Sequence, residues 1–256
     1  MPFKISRYGW IPQHPDKRDQ KFRLTQYVPL PDHYDLEPDM PPVYNQGEVG
    51  SCTGNGIAAC IEAEQIEQKE KDLFTPSRLF IYYNEREMEG TVDTDCGANI
   101  RDGLKSVGSL GVCPEDVWPY DESKVTVKPS DEAYAKAPLG KALKYRSVDP
   151  HKNLMQQILA QHTPIVLGVT LYDSFESDAV AKTGVVPMPN LRLIGGESAV
   201  GGHCVVLVGY DEPTQRWKLR NSWGTAWGQG GYFTMPYAYL LDPDLASDFW
   251  AIELVA

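Results

Sequence analysis

Residues 45–58 read NQGEVGSCTGNGIA and place one cysteine, Cys52, among small and polar residues just before an apolar pattern begins. From Thr53 onward the apolar residues recur with helical spacing and predict a helix that reaches about Lys71. The glycines at 54–59 match a dinucleotide-binding pattern, but no buried strand precedes them, so we reject that interpretation. Because the neighbours of Cys52 bury little apolar area, we expect a nucleophilic rather than a structural thiol.

A thiol nucleophile needs an imidazole as its base, and His203 is the best-placed candidate. It opens the apolar run CVVLVGYD, and Asn221 lies eighteen residues later on a returning run. A hairpin centred near residue 212 or 213 would place the two side chains opposite one another. The Asn221 amide oxygen could then orient the His203 ring. The other histidines are expected in loops or at the surface: His14, His33, His151 and His162.

Gln46 lies six residues before Cys52, across a glycine-rich turn. Its side-chain N–H could converge with the backbone N–H of Cys52 on the oxyanion of a tetrahedral intermediate. One such donor contributes about 3 kcal/mol to catalysis. We therefore add Gln46 to the candidate catalytic residues.

The rest of the chain predicts an α+β fold, with helices first and strands afterwards. The proline-rich residues 1–45 predict an extended segment, and 112–140 predicts mostly loop. Helices are expected at 76–89, 99–108 and 152–161, the last one capped by Asp149. Strands are expected at 164–172, 204–211, 216–223 and 231–235.

Composition and charge exclude several functions. The net charge of −11 argues against nucleic acid as a partner, and no apolar run is long enough to span a membrane. Five cysteines without a CxxC pair or nearby histidines predict no metal site, and no cofactor is expected. The odd count favours reduced thiols, although Cys96 and Cys113 could pair. No signal peptide is visible, which predicts a cytoplasmic protein or export by a non-classical route.

The first 29 residues differ in charge from the rest of the chain. They hold six basic and two acidic residues, about +4, which leaves about −15 for the other 227 residues. Such a segment could lie along the acidic body or remain a solvated tail.

Three blocks carry a family resemblance: NQGEVGSC, GGHCVVLVGY and RNSWGTAWGQGGYF closely resemble the signatures of papain-like cysteine peptidases. The resemblance covers about residues 30–256. It implies a helical lobe at about 45–140, an antiparallel β-barrel lobe at about 141–256 and an active site in the cleft between them. Residues 1–29 would be a short extension that could act as an inhibitory pro-segment of a zymogen, anchored by Tyr8, Trp10 and Ile11.

The resemblance also implies the chemistry. Cys52 and His203 would form a thiolate–imidazolium pair at the start of a helix, and the thiolate would attack an amide carbonyl to give an acyl-enzyme. Trp223 would shield the bond between His203 and Asn221 from water. The expected protein is a monomeric cysteine endopeptidase that acts on proteins or peptides, although exopeptidase action is not excluded by the sequence. Two alternatives stay open: a catalytically silent binding protein of the same fold, and a transamidase or ligase.

The sequence departs from the family pattern around the nucleophile. Thr53 replaces the usual aromatic residue, and Val49 replaces a disulfide cysteine. Gly202 replaces the acidic or amide residue before the histidine, and Ala98 falls within the usual glycine pair. Three acidic residues near the C-terminus could admit a basic substrate side chain, although solvated surface is the simpler expectation: Asp242, Asp244 and Asp248.

Overall fold

The computed structural model describes residues 8–138, 142–192 and 194–255, which form a group of helices packed on an antiparallel sheet. Residues 1–7 of the basic segment and the predicted lobe boundary at 140–141 lie outside the described residues. The α-helices are α1 (Cys52–Glu67), α2 (Arg78–Glu89), α3 (Ile100–Leu110), α4 (Asp131–Lys136), α5 (Lys152–Leu159), α6 (Asp178–Thr183) and α7 (Tyr237–Leu241). The strands are β1 (His33–Asp35), β2 (Ala142–Ser147), β3 (Ile165–Tyr172), β4 (Ala199–Asp211), β5 (Arg216–Arg220), β6 (Tyr232–Pro236) and β7 (Ala246–Val255).

Helix α1 is the central element of the fold. Its residues are buried from Cys52 to Ile61 because α2 and α3 cover one side and β4 and β7 cover the other. It ends at Glu67, a turn before the predicted Lys71. A helix covered on all sides is rigid, so its N-terminal residue has a well-defined position at the junction of helices and sheet.

One local prediction is wrong, and another is confirmed with one addition. Asp149 does not cap α5: the N-cap residue is His151, and Asp149 lies two positions outside it, too far for its carboxylate to reach the first turn. The predicted loop at 112–140 contains the short helix α4, which Ser130 caps by accepting the N–H of Ala133 at 3.2 Å.

Strand β4 organises the sheet because both of its edges are used. Its first part pairs with β3 and its last part with β5 and β1, and the strand order is β2-β7-β3-β4-β5-β6. The predicted barrel is not closed between β2 and β6. Other segments cover these edges: Phe22 donates to Ser147 beside β2 at 2.8 Å, and Val186 donates to Thr234 of β6 at 2.9 Å.

Two features concern the chain as a whole. All five cysteines are free, and the pairing of buried Cys113 with exposed Cys96 does not occur. Within the described ranges, no helix is long and apolar enough to cross a membrane.

Candidate active site

Cys52 is the first residue of α1, and its side chain is fully buried. The α1 helix lies against β4 at this point, and the backbone N–H groups of Cys204 and Gly9 point at the sulfur. Because Cys204 directly follows His203, the structure brings the thiol and the imidazole to the same junction of α1 and β4.

His203 and Asn221 meet across the hairpin of β4 and β5. The distance from His203 Nε2 to Asn221 Oδ1 is 2.8 Å, and both residues are buried. The same amide oxygen accepts the backbone N–H of Ser222 at 2.8 Å, which fixes its direction. Since the Nε2–H donates to Asn221, Nδ1 carries the free lone pair, and it has no hydrogen-bond partner among the described residues. This nitrogen is available to take a proton.

An aromatic cluster covers the pair. The ring centroids of Trp223 and His203 are 4.9 Å apart, and Trp223 packs in turn on Phe175 at 5.5 Å and Trp227 at 5.2 Å. Trp223 is 5% exposed and packs on the His203 ring, so little water reaches the hydrogen bond between His203 and Asn221. A low-dielectric cover of this kind strengthens the bond between His203 and Asn221.

Gln46 joins the loop before α1 to the sheet. Its side-chain oxygen accepts the Ser222 hydroxyl at 2.5 Å, and its side-chain nitrogen donates to the carbonyl of Val49 at 2.8 Å. Its backbone N–H also donates to the Ser222 carbonyl at 2.8 Å. The amide group carries two N–H bonds, so one remains for another acceptor. Gln46 is thus held next to Ser222, the residue that follows Asn221, and it lies on the loop that leads to Cys52.

Burial sets the charge of both reactive groups. It raises the pKa of Cys52 to about 12, although backbone N–H groups lower it in part. It lowers the pKa of His203 to about 4, against the opposing effect of the hydrogen bond to Asn221. At pH 7 both groups are therefore neutral in this arrangement, in contrast to the expected ion pair. The physical cause is the complete exclusion of water.

The water is excluded by residues 8–22, which we call the cleft segment. The segment bonds to both sides of the junction between helices and sheet. Ala98 donates to the Gly9 carbonyl at 2.8 Å, and Ile11 donates to the Ala98 carbonyl at 2.9 Å. On the sheet side Trp10 donates its backbone N–H to the Gly202 carbonyl at 3.0 Å. The segment therefore passes directly over Cys52.

Side chains anchor the cleft segment further. Trp10 is only 5% exposed, the Tyr8 hydroxyl donates to Glu176, and Arg101 binds Asp19 at 2.5 Å. Ile11, an expected anchor, is 42% exposed. The predicted electrostatic attraction between the basic N-terminal segment and the acidic remainder of the chain explains few of these contacts. Lys21 pairs with Asp149 at the surface, but the more buried pair has the opposite polarity, with the base on the body.

The departures from the family pattern have structural counterparts. The Thr53 hydroxyl donates to Glu85 of α2, a fully buried residue whose second carboxylate oxygen has no partner in the described part of the chain. Burial raises the pKa of Glu85 well above its ordinary value and so favours the neutral carboxyl. Val49 is 5% exposed and packs in the core. The sequence analysis missed Glu85, and nothing in its local context marks it, since its partner is 32 residues away.

The residues described here contain no group of three or more His, Cys, Asp or Glu side chains arranged to hold a metal. The chemistry that the arrangement supports needs none, because a thiol, an imidazole and amide donors are sufficient for acyl transfer.

Comparisons with known proteins show the family of the chain. The family model of papain family cysteine proteases matches residues 30–240. An uncharacterized peptidase C1-like protein of Acanthamoeba polyphaga mimivirus is 41% identical over 98% of this chain and 88% of its own length. A cysteine protease of Blomia tropicalis is 28% identical over 89% of this chain, and the match spans only 62% of that protein.

Solved structures give the same result. Xylellain, a cysteine protease from Xylella fastidiosa, superimposes with a TM-score of 0.88 at 39% identity, over 99% of this chain and 98% of that chain. Digestive procathepsin L 3 of the Tenebrio molitor larval midgut gives a TM-score of 0.72 at 17% identity, over 98% of this chain and 77% of that chain, and supports the fold alone. The predicted papain-like α+β fold is confirmed, with a sheet that stays open. The chain belongs to the papain family of cysteine proteases and is a hydrolase.

Proposed function

We propose that this chain cleaves peptide bonds with Cys52 as the nucleophile and His203 as its general base and acid. The observation that carries the proposal is the buried hydrogen bond of 2.8 Å between His203 and Asn221. This bond leaves Nδ1 of His203 as the nitrogen without a partner among the described residues, next to Cys204, whose backbone N–H reaches the sulfur of Cys52. Asn221 is the orienting group, and Trp223 protects its bond to His203.

The proposed reaction begins when Nδ1 of His203 takes the proton of the Cys52 thiol. The thiolate attacks the substrate carbonyl, and the oxyanion is bound by the backbone N–H of Cys52 and the free N–H of Gln46. His203 then donates its proton to the leaving amine, which leaves an acyl-enzyme. Water, deprotonated by His203, hydrolyses the thioester and regenerates the thiol. The partial positive charge at the N-terminus of α1 stabilises the thiolate.

We propose further that the cleft segment keeps the enzyme latent. The close approach of two glycines supports this: a Cβ atom at Gly9 would lie 1.6 Å from the carbonyl oxygen of Gly50, two residues before Cys52. Only a backbone without a side chain can lie this near the nucleophile. The segment thus fills the space where a substrate carbonyl would be attacked.

The direction of the cleft segment protects it from cleavage. In the proposed mechanism the leaving group of a substrate lies towards His203. The segment has its earlier residue there, because the Tyr8 ring lies 6.1 Å from the His203 ring and 6.2 Å from the Trp223 ring. Its next residues continue to Gly9 and then to Trp10, the reverse of a substrate. In a chain that runs in the reverse direction, the amide nitrogen of the bond at Cys52 points away from His203. His203 cannot protonate this nitrogen as a leaving group, so the segment binds without being cleaved.

Removal of the cleft segment would also change the charge of the site. With water admitted, burial no longer opposes the thiolate and the imidazolium, and each charge stabilises the other. The latent form is therefore neutral and the active form is the ion pair that the family resemblance implies.

The experiment compares full-length variants. Gly9→Ala inserts a methyl group against Gly50 and should lift the segment. Ile11→Ala is the control, because it shortens a half-exposed side chain of the same segment. We expect Gly9→Ala to cleave a fluorogenic peptide at least about 10-fold faster than the parent, which corresponds to about 1.4 kcal/mol of closure. Ile11→Ala should match the parent, and Cys52→Ala in either background should be inactive.

Other outcomes separate the alternatives. Equal cleavage by the parent and Gly9→Ala would refute the latency proposal. Absence of Cys52-dependent cleavage and of labelling by a thiolate-directed epoxide in Gly9→Ala would favour a silent binding protein. Transfer of the acyl group to an added amine in preference to water, detected by mass spectrometry, would favour a transamidase or ligase.

A further inference from the structure

One tyrosine hydroxyl joins the two parts of the proposed oxyanion site. Tyr120, on the loop between α3 and α4, donates its O–H to the backbone carbonyl of Gln46 at 2.8 Å. The same oxygen lies 2.6 Å from the hydroxyl oxygen of Ser51, the residue directly before Cys52. Tyr120 thus contacts both the residue that carries one proposed oxyanion donor and the neighbour of the residue that carries the other.

The direction of these hydrogen bonds follows from the chemistry of the groups. A backbone carbonyl only accepts, so Gln46 uses the single O–H of Tyr120. Ser51 must therefore donate to the Tyr120 oxygen, while its own oxygen accepts a side-chain N–H of Asn55 at 3.0 Å. Burial raises the pKa of Tyr120 to about 12, so the phenol keeps its proton at neutral pH. The bonds form one directed chain from Asn55 to Gln46.

Ser51 departs from the usual pattern at a helix start. It occupies the N-cap position of α1, where a serine hydroxyl normally accepts a backbone N–H of the first turn, but it makes no such bond. Its ψ of 24° also differs from the extended conformation of a capping residue. Three other N-cap serines of this chain do cap their helices: Ser77, Ser130 and Ser177. The Ser51 hydroxyl serves the bond to Tyr120 instead of the helix, and such departures are typical of functional sites.

Arg78 of α2 fixes the groups behind this chain of bonds. Its guanidinium carbon lies 4.0 Å from the centroid of the Tyr120 ring, and the guanidinium also pairs with Glu115. Its Nη1 donates to Oδ1 of Asn55 at 3.2 Å. Because that oxygen accepts from Arg78, the amide nitrogen of Asn55 is the atom that faces Ser51. The position of the Tyr120 hydroxyl is therefore set by groups of the helices.

Gln46 is held from the sheet and from the helices. Ser222 binds its backbone N–H and its side-chain oxygen, whereas Tyr120 binds its backbone carbonyl. The next residue, Gly47, turns with φ of 60°, and a Cβ atom there would lie 1.9 Å from the carboxylate of Glu122. The loop that carries Tyr120 therefore lies directly against the loop that carries Gln46. Without the bond to Tyr120, the carbonyl of Gln46 would lose its attachment to the start of α1.

We propose that Tyr120 is a positioning residue for acyl transfer: its hydroxyl fixes Gln46 relative to the start of α1, so that both donors of the oxyanion site act on one oxygen. This rests on the proposed function, because it assumes that Gln46 and the backbone N–H of Cys52 bind the oxyanion. Tyr120 acts through Gln46 and Ser51 and takes no part in the bond changes. Donors that are fixed in advance stabilise the oxyanion more, because they need no rearrangement when the charge forms.

The first test compares full-length variants in the Gly9→Ala background. Tyr120→Phe keeps the ring beside Arg78 and removes only the hydroxyl, while Asn55 still holds Ser51. We expect kcat for a fluorogenic peptide to fall at least about 10-fold, with KM within about 2-fold, since the lost stabilisation belongs to the transition state. Alkylation of Cys52 by iodoacetamide forms no oxyanion, and its rate should stay within about 2-fold from pH 5 to pH 9.

Tyr134→Phe is the matched control. It removes another half-buried hydroxyl of the helical part, which donates to Asn84 at 2.9 Å, and it should leave both cleavage and alkylation unchanged. An unchanged kcat in Tyr120→Phe would overturn the proposal. Equal falls in cleavage and in alkylation would also overturn it, because Tyr120 would then act on the thiolate and not on the oxyanion.

The second test asks whether Tyr120 acts through Gln46. Gln46→Ala removes an oxyanion donor and should lower kcat about 10²-fold to 10³-fold. In that background, Tyr120→Phe should lower kcat by less than about 2-fold more, because the residue that it positions has lost its donor. A further fall as large as that in the Gly9→Ala background alone would refute the proposal.

A third measurement separates this proposal from the proposed function. If Gly9→Ala cleaves no peptide, the proposed function fails, and binding of a peptide aldehyde is measured by calorimetry instead. The Cys52 thiol adds across the aldehyde, with sulfur bonded to carbon and the proton transferred to oxygen, so the adduct places an oxygen in the oxyanion site. A loss of affinity of at least about 10-fold in Tyr120→Phe would support the positioning role. Equal affinity, or no adduct with Cys52 in Gly9→Ala, would overturn it.

Discussion

The two walls of the cleft are stabilised in different ways. On the sheet wall, His203 and Asn221 share one hydrogen bond beneath a cluster of aromatic rings, and the sequence blocks around them follow the family pattern except at Gly202. On the helix wall, Thr53 stands in place of the aromatic residue, and the buried Glu85, whose pKa is raised, holds it to α2. Cys52, His203 and Asn221 thus match the family pattern, while the helix wall beside them has polar instead of aromatic contacts.

The largest effect is expected on the sheet wall. Asn221→Ala removes the acceptor that orients His203, and we expect kcat/KM to fall about 10³-fold in the Gly9→Ala background, within the range that general acid–base catalysis contributes. Trp223→Phe is the matched control. The Trp223 N–H has no partner among the described residues, so the ring is kept and no hydrogen bond is lost. If kcat/KM falls by a similar factor in both variants, the sheet wall acts by shielding His203 from water and not by orienting its ring.

Substitutions in the helix wall should change the free energy of unfolding. Glu85→Ala leaves a cavity and an unpaired Thr53 hydroxyl, and we expect a loss of about 3 kcal/mol in urea unfolding. At low pH, where the carboxyl is protonated in both the folded and the unfolded state, Glu85→Gln should stay within about 1 kcal/mol of the parent. The raised pKa makes the stability from Glu85 complete at low pH and lost as pH rises through the folded-state value. Glu85→Gln should remove that dependence, and an unchanged pH profile would contradict the assignment.

Low pH should affect the opening of the cleft segment through His203, the residue of the sheet wall that faces the helix wall. In Cys52→Ala no thiolate pairs with the imidazole, so the pKa of His203 is expected near 6.5 in the open form, against about 4 in the closed form. Protonation therefore favours opening, and at pH 5 the open form of this variant should gain about 2 kcal/mol, or about 30-fold, relative to pH 8. Asp248, which accepts the indole N–H of Trp10, acts in the opposite sense, because burial raises its pKa. Hydrogen exchange at the Gly9–Gln13 amides that shows no increase in opening at pH 5, after correction for the intrinsic exchange rate, would exclude this mechanism.

The smallest effect concerns the two ion pairs that, among the described residues, join the cleft segment to the rest of the chain. The side chains of Arg101 and Asp19 are 9% and 14% exposed, and Asp19→Asn should weaken closure by about 1 kcal/mol. Lys21 and Asp149 are each more than half exposed, so Lys21→Ala should change closure by less than about 0.5 kcal/mol. Hydrogen exchange at the Gly9–Gln13 amides measures both. A larger effect of Lys21→Ala would indicate that surface charge controls docking after all.

The contact between His203 and Asn221 could be predicted from their spacing in the sequence. The two residues belong to neighbouring antiparallel runs joined by a short turn, and the length of this hairpin determines which residues lie opposite one another. The start of α1 at Cys52 followed from the change in apolar periodicity at Thr53. Both features depend only on residues that are close together in the sequence, so the sequence pattern is enough to predict them. The assignment of catalytic roles to these residues stays a proposal.

Contacts between distant segments left no such pattern. Trp10 meets Asp248 across 238 residues, and neither residue has a local context that announces the other. Strand β7 was missed because its inward and outward residues do not alternate cleanly, and the buried Glu85 resembles any helical surface glutamate when the sequence is read alone. The open edges of the sheet depend on which loops happen to cover them.

The partners of Trp10 have a consequence for biosynthesis. The cleft segment precedes in the chain all the groups that hold Trp10, which come from Ala98, Gly202 and Asp248. Its docking site is therefore complete only after translation has reached Asp248. Cys52 and His203, 151 residues apart in the chain, also meet late. Under the proposed latency, assembly of the site and its closure become a single final step, and a nascent chain has no interval in which it could digest the protein around it.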